Sequence, residues 1–277
     1  MAVTDAAVLF QACRKRIERA TAYSKELSDS WGAIANEHFY RITANVDTDG
    51  SGAIKATRVN PIPPDFMFKL GELFYQLRAS LDSAVYASAV LESGCEPPPK
   101  HESLAFPIVL DPLKYPKKQA RELGDLSNER RRIVQSIQPF VVDDPVMPQL
   151  AFERRALGIL NRWARVDRHR RLHVVGSWVG RFAPKFRLPE GVEVQSFRAI
   201  ESGFLEDVSI LATFVLSNWN PAHAKHVYTN PNLKIEIALD EKPTPASPED
   251  SFGNRLRAMM IVCHRIVDSM ERGEFVR

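Results

Sequence analysis

Between positions 66 and 85, the apolar residues Phe66, Leu70, Leu73, Phe74, Leu77, Leu81, Ala84 and Val85 recur at spacings of three and four. On a helix this period makes one broad stripe over about six turns, and a face so apolar must be buried along its whole length. The stripe commits the chain to a core built around one long helix. Asp65, after the "NPIPP" of residues 60–64, is its expected N-cap. The period differs on either side. His38, Tyr40, Ile42, Ala44 and Val46 alternate with Phe39, Arg41, Thr43 and Asn45, which is the pattern of a strand. After residue 171, "LHVVGSWV", "GVEVQSF", "VSILATFVL" and "LKIEIALD" are strand-like runs rich in Val and Ile, separated by Gly, Pro and Asn.

Further helices follow from the same reasoning. Leu9, Cys13, Ile17, Ala20 and Leu27 mark a helix over 5–28, with Thr4 or Asp5 as its cap. Ser127 opens a short basic helix that ends before Pro139, and another runs from about 148 to about 170. "LAFPIVLD" reads as a short strand or an ordered crossing. Phe252, Leu256, Met259, Cys263, Ile266 and Met270 mark a last helix over 251–272. The expected fold is a single α+β domain, a helical bundle packed on a mixed, mostly antiparallel sheet. Its parts are the helix 5–28, a hairpin 37–58, a helical middle 65–170, a strand-rich part 172–240 and the helix 251–272, with the hairpin and the later strands in one sheet. A long helix with so apolar a face calls for cover on more than one side, so a homodimer is expected.

Composition narrows the class. With 37 Lys and Arg against 34 Asp and Glu, the net charge is only +3, so any basic surface is local. No run approaches the eighteen or so apolar residues of a membrane span. Arg14, Lys15 and Arg16 follow the first apolar residues instead of preceding them, unlike a secretory signal. Cys13, Cys95 and Cys263 are far apart and lack CxxC spacing, which argues against disulfide or zinc-thiolate chemistry. The expectation is a cytoplasmic protein without cofactor or membrane.

"VDTDGSGAIKATR", Val46 to Arg58, imitates a calcium loop. Asp47, Asp49, Ser51 and Gly52 occupy the first, third, fifth and turn-glycine positions of an EF-hand. The twelfth position, which needs a bidentate Glu, is Arg58, and the ninth is Lys55. The strand-like flanks make "DTDGSG" a hairpin turn, and calcium is not expected.

"LNRWARVDRHRRLH" gathers five arginines and two histidines around Asp167. On a helix, Arg162, Arg165 and His169 form one stripe, with His173 next if the helix persists. On the long helix, Tyr75, Arg78, Asp82 and Tyr86 form a polar row beside the apolar stripe, and Arg78 can pair with Asp82 across one turn. Four residues separate Arg168 from His173, and six separate Arg162 from His169. This spacing resembles the R-x4–6-H signature of HEPN-type ribonucleases. The chemistry of that pattern needs no metal: a neutral imidazole takes the 2′-hydroxyl proton, and a guanidinium stabilises charge growing on the phosphorane. By resemblance, His169 or His173 would be base or acid, Arg168 or Arg162 the phosphate clamp, and Asp82 and Asp167 would orient them. Known members are helical and usually build the site across a dimer. The Asn that often follows their Arg is absent here. A metal reading of His169 and His173 with Asp167 or Asp82 is disfavoured by the surrounding arginines. The pair His223 and His226 has no carboxylate nearby in sequence.

The series "GELFYQLRASLDSAVY", "FPI", "DRHRRLH" and "IEIALDE" also resembles a family of uncharacterised, largely actinobacterial proteins with LRxxLD, FPI and D[KR]HR motifs. The likeness falls on Leu77, Arg78, Leu81, Asp82, Phe106 to Ile108, Asp167, His169 and Arg170. Tyr75, Gln76 and Ser83 replace that family's His, Asn and second His. The resemblance implies that the LRxxLD helix and the "DRHR" segment meet. Two functions are expected: a HEPN-like RNA-cleaving or RNA-binding protein of toxin or phage-defence type, or a non-catalytic interaction protein whose Arg/His/Asp cluster is structural.

Overall fold

The computed structural model describes residues 5–36, 40–141, 150–169, 174–179, 184–199, 202–205, 207–222, 228–230, 235–239 and 252–276. The chain has an α+β fold. It divides into two compact units, a helical one from Met1–Leu27, Met67–Arg171 and Gly253–Arg277 and a strand-rich one from Ser28–Phe66 and Leu172–Phe252.

In the helical unit, α1 (Ala6–Asn36) opens at Asp5, whose carboxylate accepts from the Ala7 N–H at 3.0 Å and so satisfies a donor that the first turn leaves over. Its buried stripe is Phe10, Cys13, Ile17, Ala20 and Leu27; Leu9 is only half-buried. The central helix α2 (Pro64–Ser93) starts one residue before the expected boundary. Pro64 takes the first position, where a missing N–H is harmless, and Asp65 sits within the first turn instead of capping it from outside. Every residue of the predicted stripe is buried, at 3% exposure or less. The stripe is covered within the chain, so it leaves no argument for a second copy.

Three further helices were placed or hinted at by the sequence, and α3 (Tyr115–Glu122) lies in a stretch whose pattern is too polar to read. Ser127 caps α4 (Asn128–Ser136) by accepting from the Arg130 N–H. The helix α5 (Ala151–His169) sets Trp163 against Phe74 of α2, ring centroids 5.3 Å apart. The last helix, α6 (Phe252–Arg272), runs against α2, with Ser88 Oγ 3.5 Å from the Met270 carbonyl. Arg130 binds the C-terminal end of α6: its Nε donates to the Met270 carbonyl at 2.7 Å, one terminal nitrogen to the Glu271 carbonyl at 3.2 Å, and the other pairs with Glu92 of α2 at 2.5 Å. Carbonyls that a helix end leaves unsatisfied are thus taken by a guanidinium.

In the strand-rich unit, β1 (Tyr40–Val46) and β2 (Ser51–Arg58) form the predicted hairpin. The later strands are β3 (Val174–Val179), β4 (Lys185–Arg187), β5 (Glu193–Ala199), β6 (Ser202–Leu205), β7 (Val208–Ser217), β8 (Tyr228–Asn230) and β9 (Ile235–Leu239). They join the hairpin in a four-stranded sheet of order β1-β2-β7-β5; two smaller sheets run β6-β3-β9 and β4-β8. Every pairing among the described residues is antiparallel. A bulge opposite Ile54 and Lys55 lets consecutive residues Leu211 and Ala212 both be buried. Gly52 lies under the Phe214 ring, where a Cβ would also come within 2.7 Å of the Asn45 carbonyl oxygen. Phe186 meets Phe214 and Phe197 edge-on at 5.0 and 6.0 Å.

Candidate functional site

The calcium-like loop is a hairpin turn. The Asp47 N–H donates to the Ser51 carbonyl at 2.7 Å, and Gly50 turns the chain with φ +86°. Asp49 Oδ1 accepts from the Ser51 N–H and hydroxyl at 2.9 and 2.7 Å, which holds its carboxyl below the ordinary range. The Trp219 indole N–H donates to the Asp47 carbonyl at 2.9 Å. The carboxylate that would be a third-position ligand is thus engaged in closing the turn.

The polar row of α2 meets two different segments. Arg78 and Asp82 pair at 3.1 Å, and together they hold the backbone of Phe106. The Phe106 N–H donates to Asp82 Oδ1 at 2.8 Å, and Arg78 donates to the Phe106 carbonyl at 2.6 Å. Gln138 continues the grip: its Oε1 accepts from the Val109 N–H at 3.0 Å and its amide donates to the Pro107 carbonyl at 2.8 Å. "LAFPIVL" is therefore an ordered crossing rather than a strand. Its backbone groups find side chains where a strand would find a neighbour.

Seven residues before Arg78 in the same row, Gly71 lies beneath Asp167. A Cβ at position 71 would come within 2.6 Å of Asp167 Oδ2. The LRxxLD helix and the start of the "DRHR" segment do meet, and they meet at a glycine. Burial raises the Asp167 carboxyl above its ordinary range, and the negative charge of Glu72 adds to the effect. A glycine inside an otherwise strong helix was the one sequence signal for this seat, because it costs about 1 kcal/mol there relative to Ala. Nothing in the sequence marked Gln138.

The helix α5 continues through His169, so the backbone places Arg162, Arg165 and His169 along one stripe. Arg155, Arg162 and Arg165 are exposed on it. Arg255 of α6 adds its charge beside Arg162, and partial burial together with that charge holds the Arg162 guanidinium below its ordinary value. The side chains of Arg168 and His169, and all of His173, Arg170, His223 and His226, lie outside the described residues. Of the seven candidates, then, Arg78 and Asp82 are joined on Phe106, Asp167 is joined to the same helix two turns away, and Arg162 stands on the exposed arc of α5.

Among the described residues, no group of three or more His, Cys, Asp or Glu side chains converges to hold a metal ion, and no helix is long and apolar enough to cross a membrane. No protein-family model, no curated protein and no solved structure matches the chain.

Proposed function

We propose that the chain is an RNA-binding protein that presents the basic stripe of α5 to phosphate, with HEPN-like cleavage chemistry at the stripe's C-terminal end. One observation carries this reading: Arg155, Arg162 and Arg165 are exposed along one helix that runs on without a break to His169, with Arg255 adding charge beside Arg162. A stripe of guanidinium groups attracts a polyphosphate backbone and steers its approach. In this reading His169 or His173 takes the 2′-hydroxyl proton, the 2′-oxygen attacks the adjacent phosphorus, and the departing 5′-oxygen is protonated by the second imidazole. Arg162 or Arg168 faces the phosphorane, and Asp167 serves as an orienting group fixed on α2. The likeness to the actinobacterial family belongs to the same proposal, as does a cytoplasmic location; a homodimer belongs to it only through the two-copy site that HEPN-type members build.

The test is a gel assay with total RNA and tRNA, with and without EDTA, on wild type and the His169→Ala, His173→Ala and Arg162→Ala variants. Cleavage that persists in EDTA and is lost in either histidine variant is the expected result. Binding without cleavage in all four proteins would remove the chemistry and keep the RNA. Sedimentation of the same samples reads the oligomeric state.

A second reading has its own observation. Arg78 and Asp82 are both engaged on the Phe106 backbone, as a purely structural cluster would be. On that view the protein is non-catalytic and works through a protein partner. Intact RNA, with earlier melting of the variants, would select it.

A further inference from the structure

The four-stranded sheet has one covered face and one open face, and the two differ in chemistry. Ile54, Ala56, Ala212, Phe214 and Leu216 are buried on the first. The register assembles the second in three rows: Asn45, Ala53, Thr213 and Arg198; then Thr43, Lys55 and Ile210; then Arg41, Thr57 and Val208. Each row holds one cation, on β5, β2 and β1 in turn. From strand spacing and rise, Arg198 and Lys55 are roughly 12 Å apart, and Lys55 and Arg41 roughly 8 Å. The three make a diagonal line across the sheet.

Among the described residues none of the three is neutralised, a state they share with Arg165 on α5 and with Lys185 and Arg187 on β4. Elsewhere Arg14 pairs with Asp268 and Glu271, Arg58 with Asp207, Arg130 with Glu92 and Arg265 with Glu153. Among the described residues, Arg41, Lys55 and Arg198 have no ion pair and no side-chain hydrogen bond. The one carboxylate in register on this face, Glu193, is at the opposite end of β5 from Arg198. Around the line are hydroxyls and an amide from Thr43, Thr57, Thr213 and Asn45. No aromatic ring stands in these rows, so nothing here would stack on a base.

We propose that this open sheet face is a binding track for the sugar–phosphate backbone of single-stranded RNA, independent of sequence and separate from the stripe on α5. The inference rests on the reading of the chain as an RNA-binding protein. Uncompensated cations on three strands of one sheet match a line of phosphates, and hydroxyl and amide groups donate to phosphate oxygens and ribose. Lack of stacking groups makes the track indifferent to base identity.

The experiment is fluorescence anisotropy with a labelled 20-nucleotide oligo(U), titrated at several salt concentrations. The proteins are wild type, the sheet triple variant Arg41→Gln/Lys55→Gln/Arg198→Gln and the α5 double variant Arg162→Gln/Arg165→Gln. The triple variant should lose affinity by about tenfold or more, and its slope of log K against log salt should shrink by about 2, as the loss of three phosphate contacts requires. Oligo(A) should bind wild type as oligo(U) does. Circular dichroism melting of the triple variant should match wild type, since the replaced groups hold nothing in place. If wild type binds no RNA, both the function and the track are overturned. If the α5 variant loses RNA while the triple variant keeps affinity and slope, the track alone is overturned. Vesicles containing phosphatidylserine are the last arm. Capture of wild type but not of the triple variant, with RNA binding unchanged in both, would reassign the face to anionic lipid and also overturn the track.

Discussion

At the scale of single residues, the seat of Asp167 is the most exacting contact near the candidate site. Its carboxyl is raised by burial and by Glu72, so the fold favours its protonated form more than the unfolded chain does. A group of this kind adds stability that is full below its unfolded pKa and is lost as pH rises through the higher folded pKa. Asp167→Asn, which keeps the shape without the charge, should therefore melt at the same temperature as wild type in acid and above it at neutral pH. Melting curves from pH 3 to pH 8 would check this; parallel curves across the range would show that the charge is compensated. The sequence named Asp167 as an orienting group and gave the meeting of the two motifs only through a resemblance. It could not show which atoms meet. Contact between residues almost a hundred positions apart leaves no periodic trace, and only the misplaced Gly71 hinted at it.

Elements were more legible than their ends or their partners. Period three-and-four alone sufficed for α1, α2 and α6, because a buried helical stripe is a long signal. The strands β4, β6 and β8 were missed, since three or four residues are too few to show alternation. The short helix α3 was missed because its outward face is almost wholly polar. The locking of α2 and α6 through α4 was also invisible, since it depends on one arginine reaching three groups. Arg130→Ala would leave the Glu92 carboxylate with only the Ser127 N–H, and the Met270 and Glu271 carbonyls without their guanidinium, in a nearly closed site. Breaking a buried pair in this way costs about 3 kcal/mol. Urea titration should show that loss in Arg130→Ala and a clearly smaller one in Glu92→Gln, which retains an acceptor. Equal, small losses in both would mean that the helix ends find water instead.

For the whole molecule, the three cysteines report on which parts are closed. Cys13 and Cys263 are fully buried between helices, and burial pushes their thiols up to about 11 and about 12. Cys95 is exposed in the loop after α2. A thiolate is the reactive species, so the first two should be inert in the folded protein. A colorimetric thiol reagent should modify one cysteine quickly at pH 8 and all three only in denaturant. Rapid reaction of a second thiol would show that the helical unit opens readily. The spacing of the cysteines argued against thiol frameworks, but it could not say which cysteine was the outer one; that depends on the packing of α1 and α6.

The crossing at 104–109 has a consequence for how such a chain can change over generations. Arg78, Asp82 and Gln138 hold it by peptide groups, which every amino acid supplies, and the clamp is thus blind to the identity of what it holds. At Phe106 only proline is barred by the clamp, for want of an N–H. Position 107 already carries a proline because nothing there asks for a donor. Burial of Phe106 sets its size, but the clamp sets none of its chemistry. In descendants of this chain, the held segment should therefore drift among apolar residues that fit its buried place, while the three holders, which stand in other helices or turns and give no local sign of what they grip, should refuse change.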